Sequence, residues 1–300
     1  MHKITHSIYL HSRRIGDALV TIILDGTIRV PVAWLLQAPE EQLREAVDID
    51  SAGKARFDHL GIHVSLPGAS ILIDASMDEP DSRWGKQNKE QMGMVRTAGM
   101  VASLTQIGVV PEDITHVLFT HYHWDHVLGA TIEQDDGTFV PRYPHARHLL
   151  NRADWAGTGT SLEVWPEEIA RMDTLQKHGL LELIDGDYEV MPGIIMLHAP
   201  GESAGHSIVR VESGGQTFYA LADLVHHAVE FAHPHWTRYG SDKEQLQASR
   251  MKFLPEIAAS QAPVIFTHAS FPGWGRVVQA EDGYRWNPLH EEAEASEKKG

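Results

Sequence analysis

No cysteine occurs anywhere in the 300 residues. Disulfides, thiolate metal sites and a cysteine nucleophile are therefore excluded together. Long hydrophobic runs are also missing, so no segment matches the length of a membrane span. The start, Met1-His2-Lys3-Ile4-Thr5-His6, lacks the apolar core and small-residue cleavage site of an export signal, and a cytoplasmic protein with no membrane partner is the expectation. Basic residues are scarce, with 25 Lys and Arg against 41 Asp and Glu and a net charge of −16. That balance argues against a nucleic-acid partner and favours solubility. It leaves the substrate open, because bound metal ions make a site locally positive inside an acidic chain.

Strand and helix signals alternate through both halves. Leu19 to Leu24 reads as a strand ended by the turn signal Asp25-Gly26, and His59–Leu66 with Ser70–Ile73 reads as a hairpin about Pro67-Gly68. Pro39 to Val47 fits a short helix, and the spacing of Val95, Ala98, Val101, Ala102 and Leu104 predicts a helix over Gln91–Ile107. Further on, Pro166–His178 predicts a helix and Gly193–Leu197 a strand. His206–Val211 and Gln216–Leu221 form a second hairpin pattern, and Ala262–Thr267 a last strand. A helix over Ser241–Ser260 is expected to kink or end at Pro255. No internal repeat is visible. Such mixing implies an α/β or α+β layered domain over residues 1–290, and the Glu/Lys-rich residues 291–300 suit a frayed tail.

His121-Tyr122-His123-Trp124-Asp125-His126 places three imidazoles and a carboxylate directly after the buried-strand pattern Val117-Leu118-Phe119. Open α/β sheets bind ligands at that strand edge, and neutral imidazole with carboxylate is the donor set that zinc and similar metals take. At this chain's His and Asp frequencies such a string arises by accident with a probability of roughly half a percent. Three further strand-end positions carry suitable donors: His206 in the loop Pro200-Gly201-Glu202-Ser203-Ala204-Gly205-His206, Asp223 after Phe218–Leu221, and His268 after Val264–Thr267. The glycine loop also invites a phosphate cradle, but the lysine of a P-loop is absent. Singly, each of these residues has a structural explanation. Their joint arrival in one order does not.

That order, HxHxDH followed by His, Asp and His, resembles the metallo-β-lactamase fold superfamily, and Ile71-Leu72-Ile73-Asp74 resembles its first motif. The resemblance implies an αββα sandwich with a metal site at one edge of the two sheets. It implies two divalent ions, zinc the first choice, with manganese, iron or cobalt admissible in one position. One would be held by His121, His123 and His206, the other by Asp125, His126 and His268, with Asp223 bridging. Asp74 would orient the ligands, or is an ordinary turn acid. Leu24-Asp25-Gly26-Thr27, Ala222–His226, Phe271-Pro272-Gly273-Trp274-Gly275 and Gly283-Tyr284-Arg285 look like the methyl parathion hydrolase and lactonase-type branch, as does the long interval from His126 to His206. Two positions depart from the pattern. Leu128 stands where glycine is common, and His226 where lactonases carry a tyrosine that holds the substrate carbonyl.

With two divalent ions bound, a bridging water loses a proton near neutral pH, and its hydroxide cleaves a small neutral ester or lactone without a Ser or Cys nucleophile. A phosphotriester is the alternative in the same site. Asp125 and Asp223 are candidate catalytic residues as well as ligands, and His226 is either an acid or oxyanion donor or a supporting histidine. Tyr122, Trp124, Phe231 and Phe271 are the pocket candidates, with Trp124 lining an entrance or bracing the loop. His233, His235, Trp155, Trp165 and Trp236 serve either a substrate wall or packing between the subunits of a homodimer. More distant alternatives are a redox or dioxygenase protein of the same fold. His123, at a position that diiron redox members fill with glutamate, and the presence of both His126 and His268 speak against them.

Overall fold

The computed structural model describes residues 5–155, 166–281 and 283–289. Trp165 and the tail over residues 291–300 lie outside them. Within them two mixed sheets face each other. The first runs Leu10–Ile15, Ala18–Pro31, Lys54–Leu66, Ala69–Ile73, His116–Leu118, Arg147–Asn151 and Leu181–Ile184 from edge to edge. Its first four strands pair antiparallel and its later joins are parallel. The second runs Tyr188–Met191, Ile194–His198, Ser207–Ser213, Gln216–Ala220, Val264–Ile265, Gly275–Ala280 and Gly283–Pro288.

Side-chain alternation explains the layering. Ile71, Ile73, Leu118 and Leu149 point into one apolar cluster with Met196, Ile208, Val209 and Phe218 of the opposite sheet. Their neighbours Leu72, Val117, Phe119 and Leu150 point the other way, into a cluster with Met100 and Leu104 of the helix Met100–Gln106 and with Met172 and Leu175 of the helix Pro166–Lys177. Period two on a strand thus buries both faces of the first sheet. On the second sheet Leu246, Phe253, Leu254 and Ile257 of the helix Lys243–Ser260 complete the cover. Among the described residues no helix is long and apolar enough to cross a membrane.

Two local expectations are corrected, and of the kink or end expected at Pro255 the end does not occur. The strand that begins at Ala18 continues to Pro31, and Asp25-Gly26 forms a register shift within it rather than a turn. Asp25 is fully buried, held by Arg96 Nη2 at 3.0 Å from both carboxylate oxygens and by the Ser76 hydroxyl at 2.7 Å. The same pairing divides the helix expected over Gln91–Ile107. Arg83–Met92 ends at Gly93 (φ 65°), Val95–Arg96 adds an edge to the first sheet, and a new helix starts at Met100. Glycine suits the left-handed end, and the ion pair holds the break open. The helix Lys243–Ser260, in contrast, carries Pro255 without ending. Pro255 lies on the exposed side while Phe253, Leu254, Ile257 and Ala258 anchor the helix to the sheet; Met251, four residues before the proline, is also exposed, so water can serve its carbonyl.

His148 gives a test of this packing. It is fully buried, stacks on Phe119 and donates Nδ1–H to the Ala146 carbonyl at 3.1 Å. Burial holds its pKa down at about 4, against an ordinary 6.5. A histidine whose pKa falls on folding stabilises the fold fully above 6.5 and loses that contribution as pH drops toward 4, in total roughly 3 kcal/mol. Melting temperature is therefore expected to fall between pH 6.5 and pH 4.5, and to fall less steeply in His148→Leu than in the wild type. Parallel pH profiles for the two proteins would contradict this.

Candidate metal centre

Strand His116–Leu118 lies inside the first sheet, parallel to both neighbours. Its exit, Phe119-Thr120, is buried and leads straight into the histidine loop, with a short helix over Trp124–Val127. The Thr120 carbonyl accepts the Ser207 N–H at 2.8 Å, tying this exit to the second sheet. There the loops after Ile194–His198, Gln216–Ala220 and Val264–Ile265 reach the same edge, and they bring His206, Asp223 and His268. All seven expected ligands are thus gathered at one edge.

Asp223 is the hub. Its Oδ2 lies 3.3 Å from His226 Nε2, 3.4 Å from His268 Nε2, 3.5 Å from His126 Nε2 and 3.8 Å from His121 Nε2. One set of potential ligand atoms within 4.8 Å of one another comprises His121, His123, Glu202 and Asp223, and a second comprises His126, Asp223 and His268. Asp125 forms a third with His59 and His268. Membership of Asp223 in two sets is the arrangement a bridging carboxylate requires. One difference from expectation concerns His206. Its Nδ1–H goes to the Ala199 carbonyl at 2.9 Å and its Nε2 accepts the Asp223 N–H at 3.2 Å, while Glu202 stands in the set with His121 and His123.

The electrostatics follow from burial and charge. Burial lowers His121 well below its ordinary value, helped by the neighbouring His126 and His123, and it brings His123 to about 4. For His126 burial acts in the same sense, but Asp74, Asp125 and Asp223 together raise it well above the usual range. Burial opposes ionisation of Asp223 as well, and the imidazoles of His268, His126 and His226 overcome it and hold the carboxyl well below its ordinary value. Asp74 accepts His126 Nδ1–H at 2.8 Å and both the N–H and hydroxyl of Thr120 at 2.8 and 2.9 Å. It thereby leaves His126 Nε2 facing Asp223.

His123 Nε2, His126 Nε2, both His226 ring nitrogens and Asp223 Oδ1 are buried without a hydrogen-bond partner among the described residues. Unsatisfied buried polar atoms of this kind cost roughly 1–3 kcal/mol each. Lone-pair donors converging at one place, all nitrogen and oxygen, fit a pair of divalent cations of the zinc type. Leu128 stands where glycine is common in the branch, and the next residue here is Gly129. A side chain there would place Cβ 2.1 Å from the Ala75 carbonyl oxygen, so the histidine loop can lie against the Asp74 turn only with glycine at this position.

A cavity of about 580 Å³ opens onto the cluster. Tyr122 and Trp124 line it, and Trp124 also stacks on Trp84 with ring centres 5.9 Å apart, so it both walls the cavity and braces the loop. Phe231 lies elsewhere: it is fully buried and stacked on Trp286 in the core. Phe271 lines a separate cavity of about 400 Å³, beside Trp274 and Trp286. Trp236 is buried in the core and stacks on His233, and Trp155 packs against the outer cluster of the first sheet. The apolar wall comes instead from the first third of the chain, through Ile28, Val30, Trp34, Leu35 and Phe57. Reading the sequence also missed His59, Glu202 and Arg238. His59 Nδ1 lies 3.4 Å from Asp125 Oδ2, yet it sits in an ordinary strand pattern that no motif marks.

The sequence pattern of the Metallo-beta-lactamase superfamily matches residues 64–257. An N-acyl homoserine lactonase from Bacillus sp is 28% identical over 273 residues, covering 79% of this chain and 95% of the relative. Among solved structures, AidC, a dizinc quorum-quenching lactonase in complex with a product, superposes with a TM-score of 0.78 at 21% identity, covering 94% of this chain and 98% of the other. The hydrolase AbOPH, described as in the beta lactamase superfamily, gives 0.79 at 19% identity over 95% and 99% of the two chains.

Two outcomes are expected of the centre. Elemental analysis after reconstitution should find two zinc ions per chain, and a plateau at one that His268→Ala leaves unchanged would contradict it. Asp74→Ala should weaken zinc binding about 10–100-fold in a chelator competition; wild-type affinity in that variant would remove the orienting role of Asp74.

Proposed function

The chain belongs to the metallo-beta-lactamase superfamily, and from that membership we propose that it is a dinuclear metal-dependent hydrolase of N-acyl lactones. The observation that carries the proposal is the joining of a His/Asp cluster to an apolar cavity of about 580 Å³. Cavities of that size and lining take small molecules whose bulk is apolar. The N-acyl homoserine lactonases among its relatives support the choice of substrate.

His121, His123 and Asp223 would hold one ion, with Glu202 or His206 completing its ligands. Asp125, His126 and His268 would hold the other, with Asp223 shared. When bound, two such ions supply Lewis acidity toward a carbonyl oxygen and acidify a water to near neutral pH. The chain's own residues do the rest. Asp74 fixes the His126 ring through Nδ1. Asp125, between His59 and His268, is placed to receive a proton and return it to the leaving alkoxide. His226 Nε2, on the cavity wall and 3.3 Å from Asp223 Oδ2, is placed to donate to the carbonyl oxygen as negative charge grows on it. Ile28, Val30 and Phe57 give the acyl side an apolar wall.

A neutral phosphotriester is the second reading. It is favoured by the lining, in which Arg238 is the one lysine or arginine among the described residues and is already paired with Glu202. A β-lactam carboxylate finds no uncommitted cation in that lining.

On the zinc-loaded protein, N-acyl lactones and activated aryl esters are expected to turn over faster than cephalosporins, and complete chelation should abolish all three activities. A preference for cephalosporins, or activity surviving metal removal, would sink the proposal. Replacing Asp223 by Ala should cost more activity than replacing His226 by Ala, whose single donor is worth about 2–4 kcal/mol. The reverse order, with both metals retained, would show the roles to be wrongly assigned.

A further inference from the structure

Arg238 is the one lysine or arginine among the described residues that line the cavity, and it is fixed at both ends. Its Nε donates to Glu202 Oε1 at 2.7 Å, and Nη2 lies against the same oxygen. Glu202 is buried, and its other oxygen accepts the Ser241 hydroxyl at 2.6 Å. On the backbone side, Gln37 Nε2 donates to the Arg238 carbonyl at 3.2 Å and the Gln37 N–H to the Thr237 carbonyl at 2.9 Å. Glu202 Oε1 in turn lies 3.6 Å from His123 Nδ1 and 3.7 Å from His226 Nε2. The guanidinium is therefore held one carboxylate away from two histidines of the centre, at the boundary between metal cluster and apolar wall.

A guanidinium carries five N–H donors, and among the described residues Glu202 Oε1 is the one acceptor that engages this one. The ion pair cancels the charge while leaving donors on a side chain that faces the cavity. Such a group suits a neutral oxygen acceptor. A substrate carboxylate would gain little from a cation already paired.

Building on the lactone hydrolysis proposed above, we propose that Arg238, positioned by Glu202, determines specificity. It donates an N–H to a second carbonyl oxygen of the substrate, that of an acylamino group next to the scissile ring. A site built around such a donor discriminates against molecules lacking the acceptor, because the donor is then left desolvated and unpaired. Lactones bearing an amide are thereby selected over plain lactones with an alkyl chain of similar length.

The test compares N-hexanoyl homoserine lactone with the amide-free γ-decalactone on zinc-loaded wild type, Arg238→Met and the double variant Arg238→Met with Glu202→Gln. The double variant avoids stranding a buried carboxylate if the single one fails to fold. Zinc content is read for each protein, and calorimetry follows binding of N-hexanoyl cyclopentylamine, an amide with no lactone to hydrolyse. The ratio of kcat/KM between the two lactones is expected to fall about ten- to a hundredfold in the variants, largely through KM, with the amide probe weakened by a similar factor. An unchanged ratio with unchanged probe binding would overturn the role of Arg238. A wild type that hydrolyses neither lactone would contradict the proposed function instead, and the calorimetry would still decide whether Arg238 binds the amide.

Discussion

One carboxylate oxygen, Asp223 Oδ2, has four imidazole nitrogens within 3.3–3.8 Å. Buried charge at that density is tolerated only when opposite charges and lone pairs are arranged around it. Those imidazoles come from loops of both sheets, so the sheets must stay in register at this edge. Short main-chain bonds between the sheets enforce it: Ser207 N–H to the Thr120 carbonyl at 2.8 Å and Leu60 N–H to the Thr267 carbonyl at 3.0 Å. The sandwich is in that sense a device for holding seven side chains against electrostatic preference.

Buried ion pairs brace the loops from behind. Arg250, on the helix Lys243–Ser260, pairs with Glu230 and donates to the carbonyls of Leu224 and Pro234 at 2.7 and 2.9 Å, which anchors the segment just after Asp223. Asp154 accepts the N–H of Tyr122 and the hydroxyl of Ser203, joining the histidine loop to the Glu202 loop. Asp78 holds Arg142 and Arg171, which reach the carbonyls of Gly129 and Leu128. Breaking a buried pair by removing one partner leaves an uncompensated charge and typically costs 3–5 kcal/mol. Each brace is thus a firm constraint on where the cluster's side chains stand.

The parts visible in the sequence were those governed by local rules. Strand alternation in Ile71-Leu72-Ile73 and Val117-Leu118-Phe119, the hairpin about Pro67-Gly68, and the dense cluster His121–His126 all needed only neighbours to be understood. What escaped depended on distant partners. Asp25-Gly26 looks like a turn until Arg96, seventy-one residues away, is brought to Asp25. Pro255 looks like a stop until the buried face around it is known. His59 and Arg238 carry no motif and acquire meaning only beside Asp125 and Glu202. Phe231 and Phe271 look like pocket walls because they follow Asp223 and His268 in sequence. Chain folding instead puts the strand Ala18–Pro31 and the helix Val32–Leu35 over the cavity.

The centre and its wall divide the chemistry between them: the imidazoles and carboxylates suit a strongly polarising floor, and Ile28, Val30, Trp34 and Phe57 favour an apolar substrate body above it. Everything proposed about reaction and specificity presupposes two ions sharing Asp223. Anomalous diffraction at the zinc edge, from crystals of the reconstituted protein, reads that directly. Two peaks flanking the Asp223 carboxylate, one toward His121 and His123 and one toward His126 and His268, are the expected result. A single peak, or zinc bound away from Asp223, would contradict the dinuclear centre.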